Sequence, residues 1–175
     1  MEAAAFRSPR TWYALTVIVA IVLAADQISK SLVVVVGPGG GGGPVSVRLV
    51  RNTGASFGIG AGHPVLITLT AAAVLVIAAV WLFRTRSRVA ALFLAAVLGG
   101  AAGNLTDRLF RPPGFGSGAV VDWIHVAGYP ATFNVADVAI RVGALGAVVA
   151  TLVAASRGRR AASSQERTPR SSAMP

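Results

Sequence analysis

Pro64-Val65-Leu66-Ile67-Thr68-Leu69-Thr70-Ala71-Ala72-Ala73-Val74-Leu75-Val76-Ile77-Ala78-Ala79-Val80-Trp81-Leu82-Phe83 runs for twenty residues without a charge. Wound as an α-helix, such a run is about 30 Å long, the thickness of a bilayer's hydrocarbon core. The rest of the chain agrees with a membrane setting. Of its 175 residues 54% are hydrophobic and 13% charged, with a mean hydropathy of +0.69. An ordinary soluble domain carries roughly 25% charged residues. Cysteine is absent, which excludes disulfides, thiolate nucleophiles and zinc-thiolate sites. His63 and His125 lack a metal-binding spacing and read as loop or interfacial residues.

Three further spans flank this one. Arg84, Arg86 and Arg88 form a short connection to an uncharged run from Val89 to Thr106, which ends at Asp107-Arg108. Gly99, Gly100, Ala101, Ala102 and Gly103 give that span a small-residue surface for close helix approach. Upstream, Thr11 to Ala25 is uncharged up to Asp26-Gln27-Ile28-Ser29-Lys30, where the helix is expected to leave the bilayer. A cleaved signal peptide is the alternative for this run, disfavoured by the spans that follow. The fourth span starts near Phe133 and runs to about Ala155. The spacing therefore predicts four transmembrane helices, over about 11–30, 64–83, 89–108 and 133–155. A leader, 1–10, precedes this 11–155 domain, and a basic tail, 156–175, expected to be disordered, follows it.

Two stretches break the helical pattern. Val33 to Val36 is β-branched, and Val45-Ser46-Val47-Arg48-Leu49-Val50 alternates, so two short strands are expected around the glycine and proline loop 37–44. The run Gly39 to Gly43 lacks the Gly-Lys-Ser/Thr of a phosphate cradle and reads as linker. Val120 to Val126, within a loop, is a possible strand or interfacial piece, and Trp123 and Tyr129 suit a headgroup boundary. Fold class is thus an all-α membrane protein with four transmembrane helices and a small β-sheet between the first two.

Net charge is +10, a value that in a soluble protein would suggest nucleic acid. Sorted by membrane side, the charge reports topology instead. Arg7 and Arg10, the three arginines between the second and third spans, and Arg157, Arg159, Arg160, Arg167 and Arg170 make ten of the 16 cations, all on one side if there are four spans. That side is expected to be cytoplasmic, with both termini on it. Asp26, Asp107, Asp122 and Asp137, four of the six acids, then converge on the outer face.

Two carboxylates close enough to share a proton titrate as a pair, one charged and one neutral. The charged one can deprotonate an attacking water, and the neutral one can polarise a carbonyl and protonate the leaving amine. Asp122 and Asp137 suit this work because no cation directly adjoins either in sequence. Asp107 adjoins Arg108, and Asp26 has Lys30 one turn away, so these two are expected to hold the site together. Arg141, four residues after Asp137, could pair with it or face lipid headgroups. Spacing alone equally allows a small proton- or ion-coupled transporter using the same carboxylates.

Five segments in order resemble the lipoprotein signal peptidases, also called signal peptidase II. They are Asp26-Gln27-Ile28-Ser29-Lys30, Arg51-Asn52-Thr53-Gly54-Ala55-Ser56-Phe57-Gly58, Gly99 to Arg108, Val120-Val121-Asp122-Trp123-Ile124 and Phe133-Asn134-Val135-Ala136-Asp137. The resemblance implies an aspartic endopeptidase of the bacterial inner membrane with Asp122 and Asp137 as its catalytic dyad. It implies that Asp26, Lys30, Asn52, Gly54, Asn104, Asp107, Arg108, Asn134 and Ala136 line or support the site. The implied substrate is a prolipoprotein cut just before a diacylglyceryl-modified cysteine. No metal or cofactor is expected, nor any nucleic acid, and the chain is expected to act as a monomer among membrane lipids. Trp123, Ser56 and the Gly39 to Gly43 insert depart from the family's commoner residues.

Overall fold

The structure is a computed structural model that describes residues 8–39, 43–55, 59–60 and 62–166, with side chains as far as residue 160. Most of the leader, the middle of the glycine loop, Ser56-Phe57-Gly58 and the last nine residues lie outside it.

Among the described residues, four helices are long and apolar enough to cross a membrane. Helix α1 spans Pro9–Val36, with the Ser8 side chain accepting the Thr11 amide at its start and Pro9 in its first turn. Helix α2 spans Pro64–Arg84, again opening on a proline. Helix α3 spans Arg88–Phe110, where Ser87 accepts the Ala90 amide. Helix α4 spans Val135–Glu166. It runs on through residues 156–166, which the sequence reading assigns to the tail.

The expected strand over Val33 to Val36 is not formed. Those four residues end α1, and the helix stops only at Gly37, whose φ of 83° suits glycine and whose amide bonds the Val33 carbonyl. β-Branching is a weak preference, and an apolar helix already under way overrides it. The sheet exists with different partners. Strand β1, Val45–Asn52, pairs antiparallel with β2, Val120–Val126, which pairs with the short β3, Thr132–Phe133. Of the described strands, β1 alone comes from between the first two spans. The other strands come from the α3–α4 connection.

Helix α3 is the axis of the bundle: half of its most apolar stretch is buried, against 11–17% in the other three. The other helices turn their leucines and valines outward, where a bilayer would cover them. Small residues allow the contacts on α3. A Cβ on Gly99 would stand 2.8 Å from Val22 of α1, and one on Gly100 would stand 2.6 Å from the Ala136 carbonyl of α4. The small-residue surface read in the sequence thus seats two helices.

Candidate active site

The carboxylates gather at one end of the bundle in two groups. The first is built around Lys30, which is fully buried on α1. Its ammonium lies 2.7 Å from Asp26 Oδ2 and 2.8 Å from Asp107 Oδ2, and donates to Asn104 Oδ1 at 2.9 Å. An ammonium has three hydrogens, so all are used. The sequence reading puts this group where α1 leaves the bilayer, and the helix itself continues six residues farther, to Val36.

Asp107 accepts from more than Lys30. Arg111 Nε reaches its Oδ1 at 2.6 Å, Gln27 Nε2 at 3.1 Å, and the Val121 amide its Oδ2 at 3.1 Å. Gln27 also donates to the Gly103 carbonyl at 3.0 Å. Asp26 reaches across the fold, where its Oδ1 accepts the Ala136 amide at 2.9 Å. Ala136 is in the first turn of α4, so Asp26 satisfies a free amide at a helix N-terminus and complements its dipole. This explains an acid near the C-terminal end of its own helix. Neither Gln27 nor Arg111 was singled out as a site residue. The signal for Arg111 was its i,i+4 spacing from Asp107.

The second group is Asp122 and Asp137. Strand pleating puts Val120 and Asp122 on one face of β2, and Asn52 of β1 pairs with Val120. Asn52 is thus diagonal to Asp122, and its Nδ2 donates to Asp122 Oδ2 at 3.0 Å. A bulge in β1 between Val47 and Val50 sets this register. Asn134, directly before α4, caps that helix by accepting the Asp137 amide at 2.9 Å. Its Nδ2 donates to Asp122 Oδ1 at 2.7 Å, so one asparagine touches both aspartates. Asn104 Nδ2 donates to Asp137 Oδ1 at 2.9 Å while its oxygen receives Lys30, which joins the two groups.

Asp122 is buried, Asp137 half-buried, and both line one cavity of about 260 Å³. Burial pushes the Asp122 carboxyl up to about 6, with the charge of Asp137 adding to the rise and the bonds from Asn52 and Asn134 opposing it. Arg108 lines the same cavity and donates to the Gly54 carbonyl, while its buried Nη1 finds no hydrogen-bond partner among the described residues. Asn52 Oδ1 holds the Gly54 amide at 2.9 Å, shaping the turn at the cavity mouth. Every residue named as catalytic or supporting from the sequence therefore falls in one connected set. Arg141 lies on the cavity wall and forms no ion pair with Asp137 or any other described carboxylate. Two carboxyls on one cavity, each receiving a neutral asparagine amide, are groups of the kind that can activate water against a carbonyl.

Comparison with known proteins identifies the family. The family model described as signal peptidase (SPase) II matches residues 18–153. The chain is 49% identical over 145 residues to a lipoprotein signal peptidase of Rhodococcus jostii, covering 79% of this chain and 72% of that one. It is 41% identical over 157 residues to one of Mycobacterium leprae, covering 86% and 77%. A solved bacterial membrane enzyme superposes with a TM-score of 0.70 at 22% identity, over 82% of this chain and 90% of the other, a likeness in fold.

Proposed function

The chain belongs to the signal peptidase II family of membrane peptidases, and from that premise we propose that it is an aspartic endopeptidase with Asp122 and Asp137 as its acid and base. The observation that carries this reading is that the two carboxylates line a single cavity, Asp122 receiving the side-chain amide of Asn134 and Asp137 that of Asn104, while the Asn134 oxygen caps the Asp137 backbone amide. The transporter left open by spacing gains no support from these relatives.

In this proposal Asp122, whose carboxyl is pushed up to about 6, carries the proton and is the acid, and Asp137 is the base. Asp137 takes a proton from water as the oxygen attacks the scissile carbonyl, and Asp122 donates its proton toward the carbonyl oxygen. Collapse of the tetrahedral species breaks the carbon–nitrogen bond, with a proton returned to the departing amine. Asn104 and Asn134 orient the pair, and neutral donors suit this because a cation would hold both acids ionised.

The substrate is a prolipoprotein, cut before its diacylglyceryl-modified cysteine. Exposed apolar helix faces let the signal helix and acyl chains stay in lipid while the scissile bond meets water at the polar end of the bundle. By the distribution of arginines both termini are cytoplasmic, which puts the site near the outer face. One chain supplies the whole constellation, which supports a monomer as the working unit. The test is complementation of cells lacking their own enzyme: D122N and D137N should each leave uncleaved prolipoprotein to accumulate. Full processing by either variant would remove the assignment.

A further inference from the structure

Arg141 is unaccounted for in this chemistry. It sits on α4 one turn past Asp137, is exposed, and belongs to the wall of the dyad's cavity. Among the described residues it makes no ion pair, although Asp137 at i−4 is within sequence reach. An arginine inside an apolar span is costly unless oxygen atoms receive it. The cavity's lining also holds an aliphatic share, with Ile67, Ala71 and Val74 of α2 and Ile140 of α4 beside the polar groups. A guanidinium beside an aliphatic surface fits a ligand with carbonyl oxygens at the head of hydrocarbon chains.

Depth narrows the choice. Four residues of helix place the Arg141 backbone about 6 Å farther along the span than Asp137. If the scissile carbonyl reacts at Asp137, the cysteine side chain and its glyceryl group descend from there toward the acyl chains. The ester carbonyls then lie at the level of Arg141. A phospholipid's phosphate lies outward of its own ester groups, toward the dyad or beyond it.

We propose that Arg141 recognises the ester carbonyl oxygens of the diacylglyceryl group on the substrate cysteine, a specificity-determining contact that rests on the peptidase reading above. It is a point of purchase for the lipid rather than for the peptide. Its loss should therefore appear in KM, and only for substrates whose chains are joined by esters. Two sources could supply such esters, the substrate and the surrounding phospholipid, and the experiment separates them.

The test uses the full chain purified in a phospholipid-free detergent, with synthetic lipobox peptides bearing either a diester or a diether glyceryl group on the cysteine. Arg141→Met should raise KM for the diester about 10-fold, as expected for one lost hydrogen bond to a charged group, with kcat held within about twofold. KM for the diether should move less than about twofold, and Arg141→Lys should recover part of the diester loss. Equal effects on both peptides, or none on the diester, would overturn the inference. So would a loss seen only after adding phospholipid vesicles and shared by both peptides, since that would assign the arginine to bulk lipid. Failure of the unmutated chain to cut either peptide would remove the peptidase reading itself, and the inference with it.

Discussion

Asp26 and Asp107 face an ammonium, whereas Asp122 and Asp137 receive asparagine amides. The two pairs lie at the same end of the bundle and share Asn104, but their surroundings do opposite things to a carboxylate. Lys30 sits between the first pair at 2.7 and 2.8 Å and has no donor to spare, so the charges there are fixed and closed off. The second pair has no cation at ion-pair distance among the described residues, opens on a cavity, and includes a carboxyl pushed up to about 6. A group that must gain and lose protons cannot be clamped by a lysine, and a group that must hold three helices together benefits from one. On the proposed reading, it is their partners, more than the carboxylates themselves, that divide structure from chemistry.

The contrast is broken most severely at its ionic half. Lys30→Met leaves Asp26 and Asp107 buried with no counter-ion from α1, and breaking a buried pair in this way costs about 3–5 kcal/mol. Thermal unfolding in detergent should show a large fall, with activity lost together with the fold. A variant that unfolds like the parent would show that the cluster is not structural.

Asp122 gives the opposite sign. Its folded carboxyl lies above the ordinary 3.8, so its contribution to stability is full at low pH and fades as pH rises through about 6. D122N has no such penalty. Its stability relative to the parent should rise from pH 4 to pH 7 by up to about 2–3 kcal/mol. Denaturant unfolding at the two pH values checks this, and a gap independent of pH would mean that the folded state does not hold the Asp122 proton.

How far these pairs could be read without coordinates differs between them. Four spans were legible because uncharged runs of bilayer length are unambiguous, as in Pro64 to Phe83. The convergence of acids followed from counting spans. The bond from Asp26 to the Ala136 amide was not legible, since it joins residues 110 apart through the packing of α1 on α4. Nor was the pairing of β1 with β2, because a strand's alternation shows its face and never its partner. Val33 to Val36 misled for a local reason: β-branching favours a strand only weakly, and an apolar helix already under way carries on through such residues.

Smaller changes sharpen the boundary between the groups. A Cβ on Gly103 would meet Asp26 Oδ2 at 2.5 Å, so Gly103→Ala should push that carboxylate off Lys30 at a cost of about 1–3 kcal/mol. The fall should appear in the unfolding midpoint with most turnover per folded molecule retained. Asn52→Leu deletes a bond that favours ionised Asp122, and should move the pair's pH–rate profile upward by about 0.5–1 unit. No shift would mean that Asn52 positions the turn at Gly54 without touching the chemistry.

The division of labour is tested most directly by measuring turnover of a lipidated lipobox peptide and thermal unfolding on the same purified sample of D137N, with K30M beside it. D137N should lose about 10³-fold in kcat while unfolding close to the parent, and K30M should lose its fold. A D137N protein that still turns over at a rate near the parent's, or one that fails only because it no longer folds, would contradict the assignment of chemistry to Asp122 and Asp137.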